Sequence, residues 1–272
     1  MRALKLTETV NVEGRTKTGL LRADLTIRPS LHDGWRWNGN DVSRVRAERR
    51  FREVCLEDGP ARFRMFEHVG ALFATGLTGI ELVPSVRAPR FSRTLELWEK
   101  LKPKVVETDQ ELTFWSTNDL VAAHCGEAGS GRYITIQPNY DGKLHIKVCI
   151  DYPDIGVCEQ DYCFPDMELL ERVFAARTLG RWPLEAVVRH LTILPVVRDA
   201  NWAGAFRGET EKARLLRLIC DHRALDILGA LCLLVPSGGY LSANVTSVRG
   251  GHECDVKVVN AIRAAHTLVR VG

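Results

Sequence analysis

The chain has 272 residues, of which 45% are hydrophobic and 26% are charged. This length and composition predict a protein that folds throughout, without long disordered tracts, and that is large enough for two domains. The 37 basic and 34 acidic residues leave a net charge of only +3, and the basic residues are scattered, which argues against a nucleic-acid-binding surface.

Targeting signals and membrane spans are not expected. The N-terminal stretch MRALKLTETVNVEG lacks the continuous apolar core of a signal peptide, and the longest apolar run, near Leu225 to Val235, is about half a membrane span. The eight cysteines include no C-x2-C pair, so all of them are expected to be free thiols. We therefore expect a cytoplasmic monomer without an integral membrane segment.

Hydrophobic periodicity predicts strands first and helices later in each half of the chain. In the first half we expect strands at 4–14, 19–29, 51–59 and 61–66, a helix from Glu67 to Thr75, a strand at 79–86, and a helix at 92–102. In the second half we expect two strands joined by the turn NYDG. Helices are then expected at 166–176, 213–236 and 256–269, a short helix and strand at 183–197, and a strand at 239–248.

This order predicts the α+β class, with two similarly built domains that each pack a β-sheet against a pair of helices. The polar stretch from Val106 to Arg132 is the best candidate for the connection, which gives a first domain at 1–118 and a second at 119–272 with an insert at about 180–208. The segments EHVGALFATG at 67 and DHRALDILGA at 221 are faintly similar, as in a duplication.

One apolar helix, ARLLRLICDHRALDILGALCLLVP at 213–236, carries His222 and Asp226 one turn apart on its hydrophobic face. Two interpretations are open. The two side chains are either a hydrogen-bonded pair within the core, or two metal ligands that present a nitrogen and an oxygen to one point.

Four segments, in this order, resemble the zinc-dependent UDP-3-O-acyl-N-acetylglucosamine deacetylases of lipid A synthesis. They are FEHVGALFATGLTGIELV at 66–83, ARTLG at 176–180, HRALDILG at 222–229 and GGHECDVKVVNAI at 250–262. Supporting matches are GLLRADLTIRP at 19–29 and YDGKLHIKVCIDYPDIG at 140–156. Each motif is short, but their order is specific.

The resemblance implies a single catalytic zinc between the two domains. Its ligands would be His68, His222 and Asp226, which leaves one position open for water, as in hydrolytic zinc sites. Glu67 matches the general base of the family, although by itself it reads as a helix-start carboxylate.

Three further roles follow from the same resemblance. Thr178 matches the hydroxyl that helps to stabilise the oxyanion, and His252 matches the histidine that protonates the leaving amine. Arg132 and Arg223 lie at or beside positions where the family has lysines near the diphosphate, although both are also compatible with plain surface arginines.

The sequence also departs from the family. Ala230 replaces an Asp that orients the loop histidine, so His252 should be harder to protonate unless another acid such as Asp255 substitutes. Trp182 and Trp202 in the insert predict a narrower acyl passage. The expected function is removal of the N-acetyl group from a UDP-linked (3-O-acyl-)N-acetylglucosamine-type sugar. The alternatives are a deacetylase of an N-acyl sugar without the 3-O-acyl group, and a zinc-binding homologue with impaired turnover.

Overall fold

The computed structural model describes residues 1–15, 22–50, 53–84, 94–152, 156–176, 209–236 and 238–271. Within these ranges the chain forms nineteen strands and five α-helices. The mixture of several sheets with few helices confirms the predicted α+β class. Also within these ranges, no helix combines the length and the apolar character needed to cross a bilayer.

The first half contains three sheets, two of which are centred on the strands β1 and β10. Its elements are β1 (Arg2–Leu6), β2 (Val10–Arg15), β3 (Arg22–Pro29), β4 (Trp35–Trp37), β5 (Asn40–Asp41), β6 (Arg46–Arg50), β7 (Glu53–Asp58), β8 (Ala61–Arg64), α1 (Phe66–Gly70), β9 (Leu77–Thr78), β10 (Ile80–Pro84), α2 (Thr94–Leu101) and β11 (Val105–Glu111). Short 3-10 helices lie at Val42–Arg44, Ala71–Thr75 and Lys102–Lys104. The sheet orders are β11-β1-β9 and β2-β3-β10-β4-β5.

The second half repeats this pattern. Its elements are β12 (Thr113–Thr117), β13 (Val121–His124), β14 (Tyr133–Pro138), β15 (Leu144–Tyr152), β16 (Gly156–Phe164), α3 (Met167–Phe174), α4 (Glu209–Leu231), a 3-10 helix at Cys232–Leu234, β17 (Gly239–Leu241), β18 (Ala243–Val248), α5 (His252–Ala265) and β19 (Leu268–Val271). The sheet orders are β17-β12-β19 and β13-β14-β18-β15-β16.

Two sheets of each half have the same topology, and their strands correspond one to one. β1 pairs parallel with β9 and antiparallel with β11, just as β12 pairs parallel with β17 and antiparallel with β19. β10 lies between antiparallel β3 and parallel β4, just as β18 lies between antiparallel β14 and parallel β15. By the same correspondence α1 matches α4, and α2 matches α5. The chain is therefore a duplicated fold, as the sequence predicts.

The matching helices α1 and α4 cross at two glycines. A Cβ atom added to Gly70 would lie 2.7 Å from the carbonyl oxygen of Gly229, and one added to Gly229 would overlap the backbone of Glu67. Both glycines begin the sequence Gly-Ala-Leu and are followed by a 3-10 helix. The structural counterpart of Glu67 is therefore Asp226, so the predicted similarity, which placed Glu67 opposite Asp221, was in the wrong register.

Each half also carries a segment of its own between its fifth strand and the helix that takes part in the crossing, α1 or α4. In the first half this segment forms the three-stranded sheet β6-β7-β8. That sheet is joined to α5 of the other half, because Asn260 Nδ2 donates to Ala47 O at 3.3 Å and Arg263 donates to Val45 O at 2.7 Å. In the second half the segment contains α3, whose N-cap Asp166 accepts a hydrogen bond from Leu169 N.

The second half differs in several details from the elements predicted for it. The stretch from Val106 to Arg132, predicted as the domain connection, does contain the change between the two sets of sheets, at Leu112, although it consists largely of the strands β11, β12 and β13. The turn NYDG does not close a hairpin, because β18 lies between β14 and β15. The helix predicted at 256–269 begins earlier, at His252, and its predicted end forms β19.

The prediction that all cysteines are free thiols was also wrong. Cys125, after β13, is disulfide-bonded to Cys254 in the first turn of α5, with Cα atoms 5.5 Å apart. The other cysteines, Cys55, Cys149, Cys158, Cys163, Cys220 and Cys232, are free. The two bonded residues are 129 positions apart, so spacing in the sequence gave no sign of the pair.

Candidate active site

The crossing of α1 and α4 brings together the two motifs that were predicted to bind a metal. Glu67 and His68 lie on α1, and His222 and Asp226 lie one turn apart on α4. Glu67 is 2% exposed, His68 is 1% exposed and Asp226 is 6% exposed. The site is therefore a buried cluster of ionisable side chains between the two halves of the fold.

His222 and Asp226 approach each other without forming a hydrogen bond. Nε2 of His222 is 3.6 Å from Oδ1 of Asp226, which is beyond hydrogen-bonding distance. In the described part of the chain, His222 Nδ1 and Asp226 Oδ1 are buried and have no hydrogen-bond partner. A buried polar atom left unsatisfied costs about 1–3 kcal/mol. The geometry of His222 and Asp226 thus differs from that of the hydrogen-bonded core pair, which was one of the two interpretations of the sequence.

His68 completes the group of predicted ligands. Its ring centroid is 6.0 Å from that of His222, and its Nδ1 is 3.4 Å from Oγ1 of Thr94 at the start of α2. Thr94 also donates a hydrogen bond to the backbone oxygen of His68 at 3.0 Å, which fixes this turn of α1 against α2. Among the described residues, however, no three His, Cys, Asp or Glu side chains are arranged closely enough to hold a metal ion.

The electrostatics of the two α4 residues favour the forms that bind cations. Burial, and then the charge of Arg223, lower the pKa of His222 to about 4. Burial raises the pKa of Asp226 to about 6. At neutral pH the imidazole is therefore uncharged and the carboxyl group ionised, which are the protonation states that metal coordination requires.

Glu67 is held beside this pair. Its Oε2 accepts a hydrogen bond from the backbone N–H of Val54 on β7 at 2.8 Å. Burial, and then the nearby charge of Asp226, raise its pKa well above the ordinary value. The preceding Met65 adopts the left-handed conformation, with φ 55°, which costs a non-glycine residue about 1–3 kcal/mol. A carboxylate with a raised pKa is suited to accept a proton near neutral pH.

His252 approaches the cluster from a third helix, as its first residue. Its Nε2 is 3.8 Å from Oδ2 of Asp226, and its Nδ1 is 3.9 Å from Oδ2 of Asp255. Burial lowers its pKa, against the opposing effect of both carboxylates. The structure therefore brings His252 to the predicted ligands, on a helix rather than on the predicted loop.

The two predicted substrate-binding arginines differ in their surroundings. Arg132 is partly exposed beside Gly251, and its Nε donates to the backbone oxygen of Arg249 at 3.1 Å. Arg223 is only 6% exposed and makes a bidentate ion pair with Asp255. The interpretation of Arg223 as a surface arginine was therefore wrong.

Two of the predictions fall outside the described residues, namely the role of Thr178 and the shape of the insert at about 180–208. Conversely, sequence reasoning overlooked Thr94, which no motif marks, since it reaches His68 only through tertiary packing. The sequence named Asp255 as a possible acid near His252, but with 250–255 taken as a loop it did not place the two residues on one helix.

A scan against models of protein families and a search of curated proteins find no match to this chain.

Proposed function

We propose that the chain is a zinc-dependent hydrolase that removes the N-acetyl group from a UDP-linked N-acetylglucosamine-type sugar. The observation that carries this proposal is the meeting of Glu67 and His68 on α1 with His222 and Asp226 on α4, in one buried cluster. These are the residues at which the sequence resembles the motifs of the zinc-dependent deacetylases.

The kinds of donor atom fit zinc, although the side chains would have to move closer together to hold it. His68, His222 and Asp226 would hold the ion with two nitrogens and one carboxylate oxygen, a combination found in catalytic zinc sites. The buried Nδ1 of His222 and Oδ1 of Asp226, which lack hydrogen-bond partners within the described chain, support the fit, because a cation would compensate such donor atoms. When bound, zinc supplies Lewis acidity that activates water near neutral pH and polarises an amide carbonyl.

The protein side chains would move the protons. Glu67 would accept a proton from the attacking water, and His252 would deliver a proton to the nitrogen of the leaving amino sugar as the carbon–nitrogen bond breaks. The products are acetate and the free amine, so one water molecule is consumed for each amide bond. His222 lies nearest Oδ1 of Asp226 and His252 nearest Oδ2, which supports this division of roles.

Arg132 supports a phosphate-bearing substrate. Its guanidinium is partly exposed at the edge of the Gly250–Gly251 turn, immediately before His252, where an anionic group of the substrate can reach it. Arg223 has no comparable access, because it is buried against Asp255. We therefore assign the diphosphate contact to Arg132 and not to Arg223.

The experiment measures metal content and amide hydrolysis on the same preparation of purified protein. We expect about one zinc per chain, and release of acetate from a UDP-linked N-acetyl sugar. His68→Ala, His222→Ala and Asp226→Ala should each lose the metal, whereas His145→Ala, an exposed histidine bound to Asp141, should retain it. Retention of full zinc content by all three ligand variants would overturn the proposal.

A further inference from the structure

Two free cysteines of the second half, Cys158 and Cys220, are in contact with each other. Cys158 lies on β16 and Cys220 on α4, and their thiols form a hydrogen bond. Sγ of Cys220 is also 3.9 Å from the backbone oxygen of Cys158. A strand residue and a helix residue therefore meet through their sulfur atoms, which is the first requirement for a disulfide between them.

The residues beside this pair hold α4 against β16. Tyr162 of β16 donates a hydrogen bond from its hydroxyl group to Oδ1 of Asp221 at 2.9 Å, and Arg172 of α3 donates to the same oxygen at 3.2 Å. Tyr162 and Asp221 are each 2% exposed. Asp221 directly follows Cys220, and Tyr162 lies on the same face of the strand as Cys158, four residues later. These buried hydrogen bonds therefore keep the two thiols together in the folded protein.

The two thiols differ in their access to solvent. Cys220 is 0% exposed, whereas Cys158 is partly exposed on β16, which is the edge strand of its sheet. Oxidation of cysteine follows exposure, so a dissolved oxidant reaches Cys158 first. Cys220 lies directly behind it, at the place that a resolving thiol must occupy to react with an oxidised Cys158.

Two other free cysteines of the same sheet provide a comparison. Cys163 lies an odd number of residues after Cys158 on β16, so its side chain is on the opposite face of the strand. Cys149 of β15 is paired with Glu159, which places it on that opposite face as well. Strand geometry therefore directs Cys158 towards α4, and directs these two thiols away from it.

We propose that Cys158 and Cys220 are an oxidisable pair that forms a second disulfide when the protein meets a hydroperoxide. The peroxide first oxidises the thiol of Cys158 to a sulfenic acid and releases one water molecule. The sulfur of Cys220 then attacks the sulfur of Cys158, the sulfur–oxygen bond breaks, and the hydroxyl group leaves with the thiol proton of Cys220 as a second water. Two thiols and one hydrogen peroxide thus give one disulfide and two water molecules.

The new bond acts on the proposed site through α4. The sulfur atoms of a disulfide are about 2.05 Å apart, closer than those of two thiols in hydrogen-bonding contact, so its formation draws α4 and β16 together. His222 follows Cys220 by two residues on that helix. A displacement of about 1 Å can lower turnover by about 100-fold. This effect on turnover rests on the proposed function, whereas the formation of the disulfide does not.

The experiment treats the purified protein with hydrogen peroxide and identifies linked peptides by mass spectrometry without reduction. We expect a peptide pair joined through Cys158 and Cys220, and a fall in the number of free thiols from six to four. Cys158→Ser and Cys220→Ala should each lack the linked pair, and in Cys220→Ala the sulfenic acid of Cys158 should be trapped by dimedone. Cys163→Ser, which alters a thiol on the other face of β16, should form the link as the wild type does.

Oxidation of Cys158 to a sulfinic acid, with Cys220 left as a free thiol, would overturn the pairing. Hydrolysis of a UDP-linked N-acetyl sugar is then measured before oxidation, after it, and after treatment with dithiothreitol. We expect a reversible fall in turnover of about 10- to 100-fold, which Cys158→Ser should not show. A fully cross-linked protein with undiminished turnover would overturn the effect on the site. If the protein hydrolyses no such sugar in either state, the proposed function fails, and the peptide map alone decides whether the pair forms.

Discussion

Gly229 of α4 lies directly against the backbone of Glu67 on α1, so that no side chain fits between the two helices. Gly70 faces the same contact from α1. The backbones themselves therefore set the separation between the proposed base and the proposed ligands His222 and Asp226. The geometry of the site depends on the absence of a side chain at these two positions.

Gly229→Ala should consequently destabilise the protein. Alanine normally stabilises a helix over glycine by up to about 1 kcal/mol, but here its methyl group must push the helices apart, and overpacking of this kind costs about 1–3 kcal/mol or more. Urea denaturation measures the effect. Ala213→Gly, at an exposed position of the same helix, reports the helix propensity alone. A Gly229→Ala variant as stable as the wild type would contradict the contact.

Glu67→Gln should retain zinc and lose about 10²- to 10⁴-fold in turnover, as expected when a general base is removed. Glutamine keeps the size of the side chain and can still accept the hydrogen bond from Val54 N. Metal analysis and acetate release, measured on one sample, separate the two effects. Glu171→Gln, which alters an exposed partner of Lys102, should leave both unchanged. Normal turnover in Glu67→Gln would remove this residue from the mechanism.

Asp226→Asn should stabilise the metal-free protein at neutral pH. Burial raises the pKa of Asp226 from 3.8 to about 6, so the folded state holds its proton more tightly than the unfolded state does. Stability is then lost as the pH rises from about 4 to about 6, and the loss at pH 7 amounts to roughly 3 kcal/mol at most. Asparagine avoids this loss, so the advantage of the variant should disappear below about pH 4.

Urea denaturation in the presence of a chelator, repeated between pH 3 and pH 7.5, tests this sign. Asp141→Asn is a matched control. Desolvation raises the pKa of this exposed carboxyl, but hydrogen bonds from His145 and from the Lys143 N–H lower it overall, so its amide variant should not gain stability. An Asp226→Asn variant less stable than the wild type at pH 7 without metal would contradict the electrostatic argument.

Reduction of the Cys125–Cys254 disulfide should lower the free energy of unfolding by about 2–4 kcal/mol, since the bond closes a long loop of the unfolded chain. Denaturation with and without reductant measures the change. Cys125→Ser should be insensitive to reductant, whereas Cys149→Ser, which alters a free thiol, should keep the wild-type sensitivity. Thiol titration of the unreduced, unfolded protein should find six thiols, and a count of eight would exclude the bond.

The sequence of the insert at about 180–208 predicts how kcat/KM depends on the length of the 3-O-acyl chain of the substrate. A buried methylene contributes about 0.8 kcal/mol, so an open acyl passage would make kcat/KM rise steeply with the length of a 3-O-acyl chain. Because Trp182 and Trp202 predict a narrower passage, we expect a flat or falling dependence. A rise of more than about tenfold from a short to a fourteen-carbon chain, or about 1.4 kcal/mol, would favour the ordinary lipid A precursor as substrate.

The sequence predicted the fold class and the duplication because hydrophobic periodicity and helix stops are local signals. It did not predict that β18 separates β14 from β15, since strand order is decided by packing between distant segments. The strands β11 to β13, between Val105 and His124, were also not predicted. They are only partly buried, so their polar, exposed residues weaken the hydrophobic pattern that indicates a strand.

The residues of the candidate site divide in the same way. Glu67, His68, His222, Asp226 and His252 were named from short motifs, and the structure places them together. Thr94 and the disulfide partner of Cys254 have no local signature, because each acquires its contact only through tertiary structure. Arg223 was interpreted from its neighbours in sequence, whereas its burial depends on a carboxylate of another helix.

The duplicated topology leaves one place in each half where length can vary at little cost. The segment between the fifth strand and the crossing helix, α1 or α4, interrupts no strand pair of the four shared sheets. In the first half this place is occupied by β6 to β8, and in the second by residues 165–208. Both segments lead directly into the helices that carry Glu67 and His222. Insertions there can diversify what enters the site during evolution while the shared framework and its helix crossing are retained.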